Sequence, residues 1–158
     1  MLGFRLEVFT KRAKRELAGH PKFYFFDTGI FRANCPRGPL DSSSELNGPA
    51  LEGLIAQHLR AWCEYTRSPH QLQYWHTRTG VEVDFIVYGE SGLFALEVKN
   101  SNRVRPEDLK GLRAFAQDYP QSRNYFLYRG EERLLIDGML CLPCDEFLKL
   151  LKPDSFPE

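Results

Sequence analysis

Asp84 and the tripeptide Glu97-Val98-Lys99 stand on two successive stretches of strand-like sequence, parted by the Gly89-Glu90-Ser91-Gly92 break. Side chains alternate across a strand, so Glu97 and Lys99 share one face while Val98 points to the other, where Leu96 joins it in a core. A tight turn between the two strands brings Asp84 beside Glu97 on the shared face. Two carboxylates and one ammonium then converge. Like charges gathered in this way call for compensation, and a divalent cation supplies it. Mg²⁺, or Mn²⁺ in its place, takes few carboxylates and keeps water and phosphate oxygens in its remaining positions. Such an ion acidifies a bound water and polarises a phosphoryl oxygen. Lys99 would then steady the attacking hydroxide or the charge that builds on phosphorus. The plainer alternative is an ion-pair cluster on a sheet surface, and the crowding of like charge favours a site over it. Glu82, on the same face as Asp84, either approaches the same ion or pairs with a basic neighbour.

The elements that must hold these residues follow from hydrophobic spacing. From Pro49 to about Tyr65 the residues Leu51, Leu54, Ile55, Leu59 and Trp62 form an apolar stripe at helical period, with proline near the first turn. Strands are expected over Gln71 to Thr77, Val81 to Tyr88 and Leu93 to Lys99, joined by breaks short enough for antiparallel hairpins. Pro106 opens a second helix through Leu109, Leu112 and Ala116, ending near Pro120. Arg123 to Tyr128 reads as a strand, with weaker strands near Leu134 and Leu140 and a short helix over Asp145 to Leu151. Upstream, Leu2, Phe4, Leu6 and Val8 alternate as in a strand with no obvious hairpin partner nearby. Lys22 to Asp27 reads as a strand closed by a Thr28-Gly29 break, and Asn34 to Gly48 is loop chemistry.

A chain of 158 residues, 42% hydrophobic, closes one core rather than two. The expected division is an N-terminal extension over 1–21, a remnant of an upstream domain, then one domain over 22–152 and a tail over 153–158. Basic and acidic residues number 21 each, so global charge favours neither nucleic acid nor acidic partners, and any such binding must be local. Four cysteines without an apolar leader suit a reduced cytoplasmic protein. No apolar run reaches membrane-spanning length, so no membrane partner is expected.

The helix, three strands, helix, strand order around Asp84, the hairpin and Glu97-Val98-Lys99 resembles the PD-(D/E)XK nuclease superfamily. The resemblance implies an α/β, restriction-endonuclease-like core, a central mixed sheet flanked by helices in the order α-β-β-β-α-β. It implies a metal-dependent nuclease acting on DNA, with Asp84 and Glu97 as ligands of Mg²⁺ or Mn²⁺ and Lys99 as the electrostatic catalyst. A further glutamate on the first helix of that superfamily corresponds to Glu52 in PALEGLIAQHL, as an auxiliary ligand; an ordinary solvated glutamate is equally compatible with its place at the edge of the stripe. A narrower resemblance rests on FYFFDTGIFRA, GPALEGLIAQHL, YWHTRTGVEVDFIV and LFALEVKNS. These blocks are similar to the domain of uncharacterised function that follows an AAA-type ATPase module in many bacterial and archaeal proteins. That likeness implies an upstream ATPase as partner or lost domain. The chain has no Gly-x-x-x-x-Gly-Lys-Ser/Thr phosphate loop, so no ATP binding of its own is expected. Superfamily members that have lost cleavage imply the alternative, an inactive nuclease-fold module for binding or for dimerisation with a second copy.

Other residues carry weaker signals. Trp75, His76 and Arg78 could touch a nucleic-acid backbone or base, though such aromatics are more often core or rim packing. Arg103, Arg105, Lys110 and Arg113 follow the Glu-x-Lys closely and either contact phosphates or form an ordinary charged helix face. Cys141 and Cys144 make a Cys-x-x-Cys without a second pair or histidine at zinc-finger spacing. Asp27-Thr28-Gly29 matches the aspartic-protease tripeptide, but a single copy would need a dimer to build the paired carboxylates, and it belongs to the first ATPase-linked block.

Overall fold

Apolar runs bounded by glycine turns pair into a sheet, and the two helical stripes cover its faces. The computed structural model describes residues 2–35 and 43–158. A two-stranded ribbon, β1 (Gly3–Leu6) with β2 (Lys22–Phe25), precedes the helices α1 (Thr28–Asn34) and α2 (Ser43–Tyr65). Then come β3 (His70–His76), β4 (Glu82–Gly89) and β5 (Gly92–Val98), a turn of 3₁₀ helix over Pro106–Leu109, α3 (Lys110–Asp118), β6 (Arg123–Tyr128), β7 (Leu134–Ile136), β8 (Met139–Pro143) and α4 (Cys144–Leu150). The expected order of helix, three strands, helix, strand runs from α2 to β6.

The main sheet is mixed and has six strands in the order β3-β4-β5-β6-β8-β7. β3, β4 and β5 are antiparallel hairpin neighbours, whereas β5-β6 and β6-β8 are parallel and β7 turns back along β8. Parallel neighbours need a crossover, which α3 provides between β5 and β6. Leu51, Ile55, Leu59 and Trp62 of α2, with Phe147 of α4, pack on the face formed by Phe85, Val87, Phe94, Leu96, Tyr125 and Leu127. Leu112 and Phe115 of α3 pack on the opposite face with Trp75, Ile86, Ala95 and Phe126. Helices on both faces bury the central strands twice over, which is why β4 and β6 are apolar almost throughout instead of alternating.

Several local expectations change. β1 has a partner after all: it pairs with β2 from Gly3↔Phe25 to Leu6↔Lys22. The intervening chain runs along β3 instead of turning tightly. The Phe9 N–H donates to the Tyr74 carbonyl at 2.7 Å, the Tyr74 N–H to Glu7 at 3.1 Å and the Ala18 N–H to His76 at 3.1 Å, so this stretch covers a sheet edge that would otherwise be open. β2 ends at Phe25, ahead of the Thr28-Gly29 break, and the same two residues start a helix. Asp27 caps α1, its Oδ1 accepting the N–H groups of Gly29 at 2.5 Å and Ile30 at 3.2 Å, which explains the DTG tripeptide locally. α2 begins at Ser43, upstream of Pro49, which lies inside it. The serine, asparagine and glycine there are weak helix formers, so local propensity gives no sign of the helix before Pro49. The remainder of the expected loop, residues 36–42, lies outside the described residues.

Side chains from both ends of the chain enter the core. Phe4 and Leu6 join the cluster under α2, and Phe9 joins the one under α3. Phe156 stacks on Phe94 with ring centres 4.1 Å apart and meets the Trp62 ring edge-on. Among the described residues no helix is long and apolar enough to cross a membrane.

Candidate functional site

Leu96 and Val98 pack into the core beneath α2, which fixes β5 and with it the position of Glu97. Toward its end the β4-β5 ladder stops at Phe85↔Leu96. Beyond that pair the Val98 N–H donates to Asp84 Oδ2 at 2.9 Å, so a side chain takes over from a backbone carbonyl. Asp84 is buried, flanked by Val83 and Phe85, which are fully enclosed. Burial, then the Glu52 carboxylate, pushes Asp84 up to about 7 against the opposing pull of Lys22 and the Val98 amide. Glu97 is raised as well, by burial first and then by Asp84 and Glu82. Its Oε2 is buried without a hydrogen-bond partner among the described residues. An orphaned carboxylate oxygen is a costly group to enclose, and a cation or a proton satisfies it.

Among the described residues Lys22 supplies the one ammonium in this cluster. Its Nζ lies 3.7 Å from Glu52 Oε1, 3.7 Å from Asp84 Oδ1 and in direct contact with Glu82 Oε1. It also sits over the Tyr74 ring, 5.1 Å from the centroid. Burial lowers the Lys22 affinity for its proton, but Asp84, Glu82 and Glu52 outweigh that and hold it above its ordinary value. Glu52 is further tied by the Tyr24 hydroxyl, which donates to Oε1 at 2.5 Å. Burial and that carboxylate drive the Tyr24 phenol well above its usual range.

Asp84 and Glu97 are therefore brought together, and Glu52 and Glu82 are joined to Asp84 through Lys22. Lys99 lies apart from this ion-pair network: it is half exposed and its Nζ lies 3.5 Å from Asp108 Oδ1. Asp108 in turn accepts the Arg105 N–H at 3.1 Å. Lys22 and Tyr24 were not anticipated as site residues. Their only signal in the sequence is their place on a short aromatic strand, and the ribbon pairing that turns that strand toward Asp84 is not local.

Among the described residues no group of three or more His, Cys, Asp or Glu side chains is disposed to hold a metal ion. The donor chemistry nonetheless suits a hard cation between Asp84 and Glu97: both carboxyl groups are raised, and one oxygen has no partner. Beside the cluster a cleft of about 270 Å³ runs from Lys22 and Glu52 past Phe25, Phe31 and Pro49.

Several of the remaining sequence signals have structural partners. Trp75 is fully buried, Arg78 pairs with Glu16 at 2.8 Å, and Arg113 pairs with Asp137 at 2.7 Å. Cys141 and Cys144 are free and buried, and burial pushes both thiols up to about 11, which suppresses the reactive thiolate.

Comparison with known proteins gave no match among curated proteins or solved structures. Residues 47–147, which include most of α2, the β3-β4-β5 hairpins, α3 and β6, match a family described as a domain of unknown function, DUF4143. The match spans more than half of the chain and contains Glu52, Asp84, Glu97 and Lys99, so the protein belongs to the DUF4143 family.

Proposed function

We propose that this domain is a metal-dependent nuclease that hydrolyses DNA phosphodiester bonds at Asp84 and Glu97. The observation that carries the reading is the buried carboxylate pair with one orphaned oxygen, which a divalent cation would satisfy. The order of α2, β3 to β5, α3 and β6 is the one expected from the PD-(D/E)XK resemblance, which supports the reading. Mg²⁺ or Mn²⁺ bound there would supply an acidified water and a positive charge opposite the phosphoryl oxygen. Asp84 is held in place by the Val98 amide, and Glu97 presents its free oxygen beside it. Glu52, anchored by Tyr24, stands one ammonium away as the auxiliary acidic group. Lys99, on its flexible stem, exchanges Asp108 for a substrate phosphate oxygen. A place downstream of an AAA-type ATPase, and pairing with a second copy, belong to the same reading.

A second reading is favoured by Lys22. Its ammonium already neutralises part of the acidic cluster, as in a nuclease fold kept only as a binding or dimerisation module. Calorimetric titration with Mn²⁺ separates the two. The nuclease reading expects uptake by the wild type that is lost in Asp84→Asn, and plasmid nicking that falls by about 100-fold or more in Asp84→Asn and Lys99→Ala. Lys22→Met should bind Mn²⁺ more tightly, because a competing cation is gone. Equal uptake and equal trace nicking by wild type and Asp84→Asn would leave the module reading standing.

A further inference from the structure

A second cleft, of about 380 Å³, opens where α1, α2 and the ends of β5 and β6 meet. Arg32 reaches it from the last turn of α1, Asn47 from α2, Asn100 from just beyond Lys99, and Arg129 from the residue after β6. Thr28 adds a hydroxyl. Among the described residues no carboxylate lines this cleft, although acidic and basic residues are equal in number over the whole chain. The Arg32 guanidinium donates from Nη2 to Asn47 Oδ1 at 2.9 Å, which orients it, and the Arg129 N–H donates to the Ser101 carbonyl at 2.9 Å, which anchors the root of the second arginine.

The lining is therefore rich in N–H and O–H donors, with two planar cations brought in from separate elements. That is the chemistry that receives a phosphate group, for which guanidinium is the matching fork. Its position gives the phosphate a context. Asn100 follows Lys99 directly, and Thr28 and Ala50 line both this cleft and the one that reaches Lys22 and Glu52. The two clefts thus adjoin, the cationic one opening beside a largely apolar one that leads to Lys22 and Glu52 at the margin of the carboxylate cluster. A polyanionic strand that offers one phosphate to the carboxylates has to be held nearby by positive charge, since the carboxylates themselves repel it.

We propose that the Arg32-Arg129 cleft is a phosphate-binding subsite that grips a backbone phosphate of a single DNA strand flanking the carboxylate cluster. The identity of the strand rests on the nuclease reading, whereas the phosphate chemistry rests on the cleft alone. The test is fluorescence anisotropy of a labelled single-stranded deoxyoligonucleotide with a 5′ hydroxyl, titrated with the full chain in EDTA across a KCl series. Arg32→Gln combined with Arg129→Gln should weaken binding about tenfold or more. It should also flatten the dependence of log Kd on log salt by about 0.7, the value for one lost phosphate contact on a single strand. Arg67→Gln combined with Arg123→Gln removes the same charge from exposed sites elsewhere and should change little. Unfolding midpoints of both double variants identify any loss that comes from misfolding. Equal weakening by the two double variants overturns the proposal, as does unchanged binding by the first. If inorganic phosphate at matched ionic strength binds the wild-type cleft while the oligonucleotide is indifferent to Arg32 and Arg129, the cleft holds only free anions and the strand proposal fails. No metal is present in this assay, so absent cleavage in a separate Mn²⁺ assay would sink the nuclease reading and leave this result untouched.

Discussion

Asp84 shows what enclosing an acid costs when its neighbours are acids too. Its carboxyl rises in the fold from 3.8 to about 7. Between those values the folded chain binds more protons than the unfolded one, so this group's contribution to stability is greatest below about pH 4 and is lost as pH climbs through about 7. The raised Glu97 works in the same direction. Asp84→Asn removes the ionisation and keeps an oxygen for the Val98 amide. In EDTA the variant should gain on wild type as pH rises, and be the more stable by on the order of 2 kcal/mol at about pH 8. Thermal melts between about pH 5 and about pH 8 measure this directly, and parallel curves for the two proteins would refute it. Alternation and a tight turn sufficed to read the approach of Asp84 to Glu97. Lys99 was placed by the same alternation but turns to Asp108, a residue of the following 3₁₀ turn whose position no strand rule supplies. Lys22 escaped notice because its carboxylate partners lie thirty or more residues downstream.

At the scale of elements, α3 is pressed close to β4. A methyl group added at Gly111 would run into the backbone carbonyl of Glu82, with Val83 nearby. Gly111→Ala should therefore push the helix off the strand and destabilise the fold by about 1–3 kcal/mol, read from urea denaturation. It should also weaken any Mn²⁺ uptake, because the displaced strand carries Glu82 and Asp84. Gly53, in the interior of α2, has only the Thr28 methyl at 3.9 Å, so Gly53→Ala should instead stabilise by roughly 0.5–1 kcal/mol through helix propensity. The same contrast explains what periodicity could and could not disclose. β6 was read to its exact ends, and β3 to β5 to within a residue or so, because apolar runs between glycine or polar breaks have few alternative pairings. The ribbon of β1 with β2 was hidden by a long intervening segment, and the start of α2 was hidden by residues with poor local propensity.

At the scale of the molecule, the chain's last residues act as part of the core. Phe156 fills the space between Phe94, Trp62 and Phe147, and the Tyr125 hydroxyl donates to the Pro157 carbonyl at 2.8 Å. Phe156→Ala should cost about 3 kcal/mol, from lost transfer energy and the cavity left among the surrounding aromatic rings. Chemical denaturation with an unchanged m-value would show this, and a shift near zero would mean that the surrounding rings collapse to fill the gap. The polar, proline-containing stretch over 153–158 reads as a tail, since composition cannot foretell that one phenylalanine will find a slot made by residues far apart in sequence.

The amide of Val98 is bonded to the Asp84 carboxylate rather than to a strand carbonyl, which makes it an internal spectroscopic probe. In a ¹⁵N-labelled sample its proton resonance should move with the protonation of that acid and with the arrival of a divalent ion. Neighbouring ladder amides such as those of Leu96 and Ala95 should stay nearly still, so the state of the acidic cluster can be followed in a sample that carries no substrate.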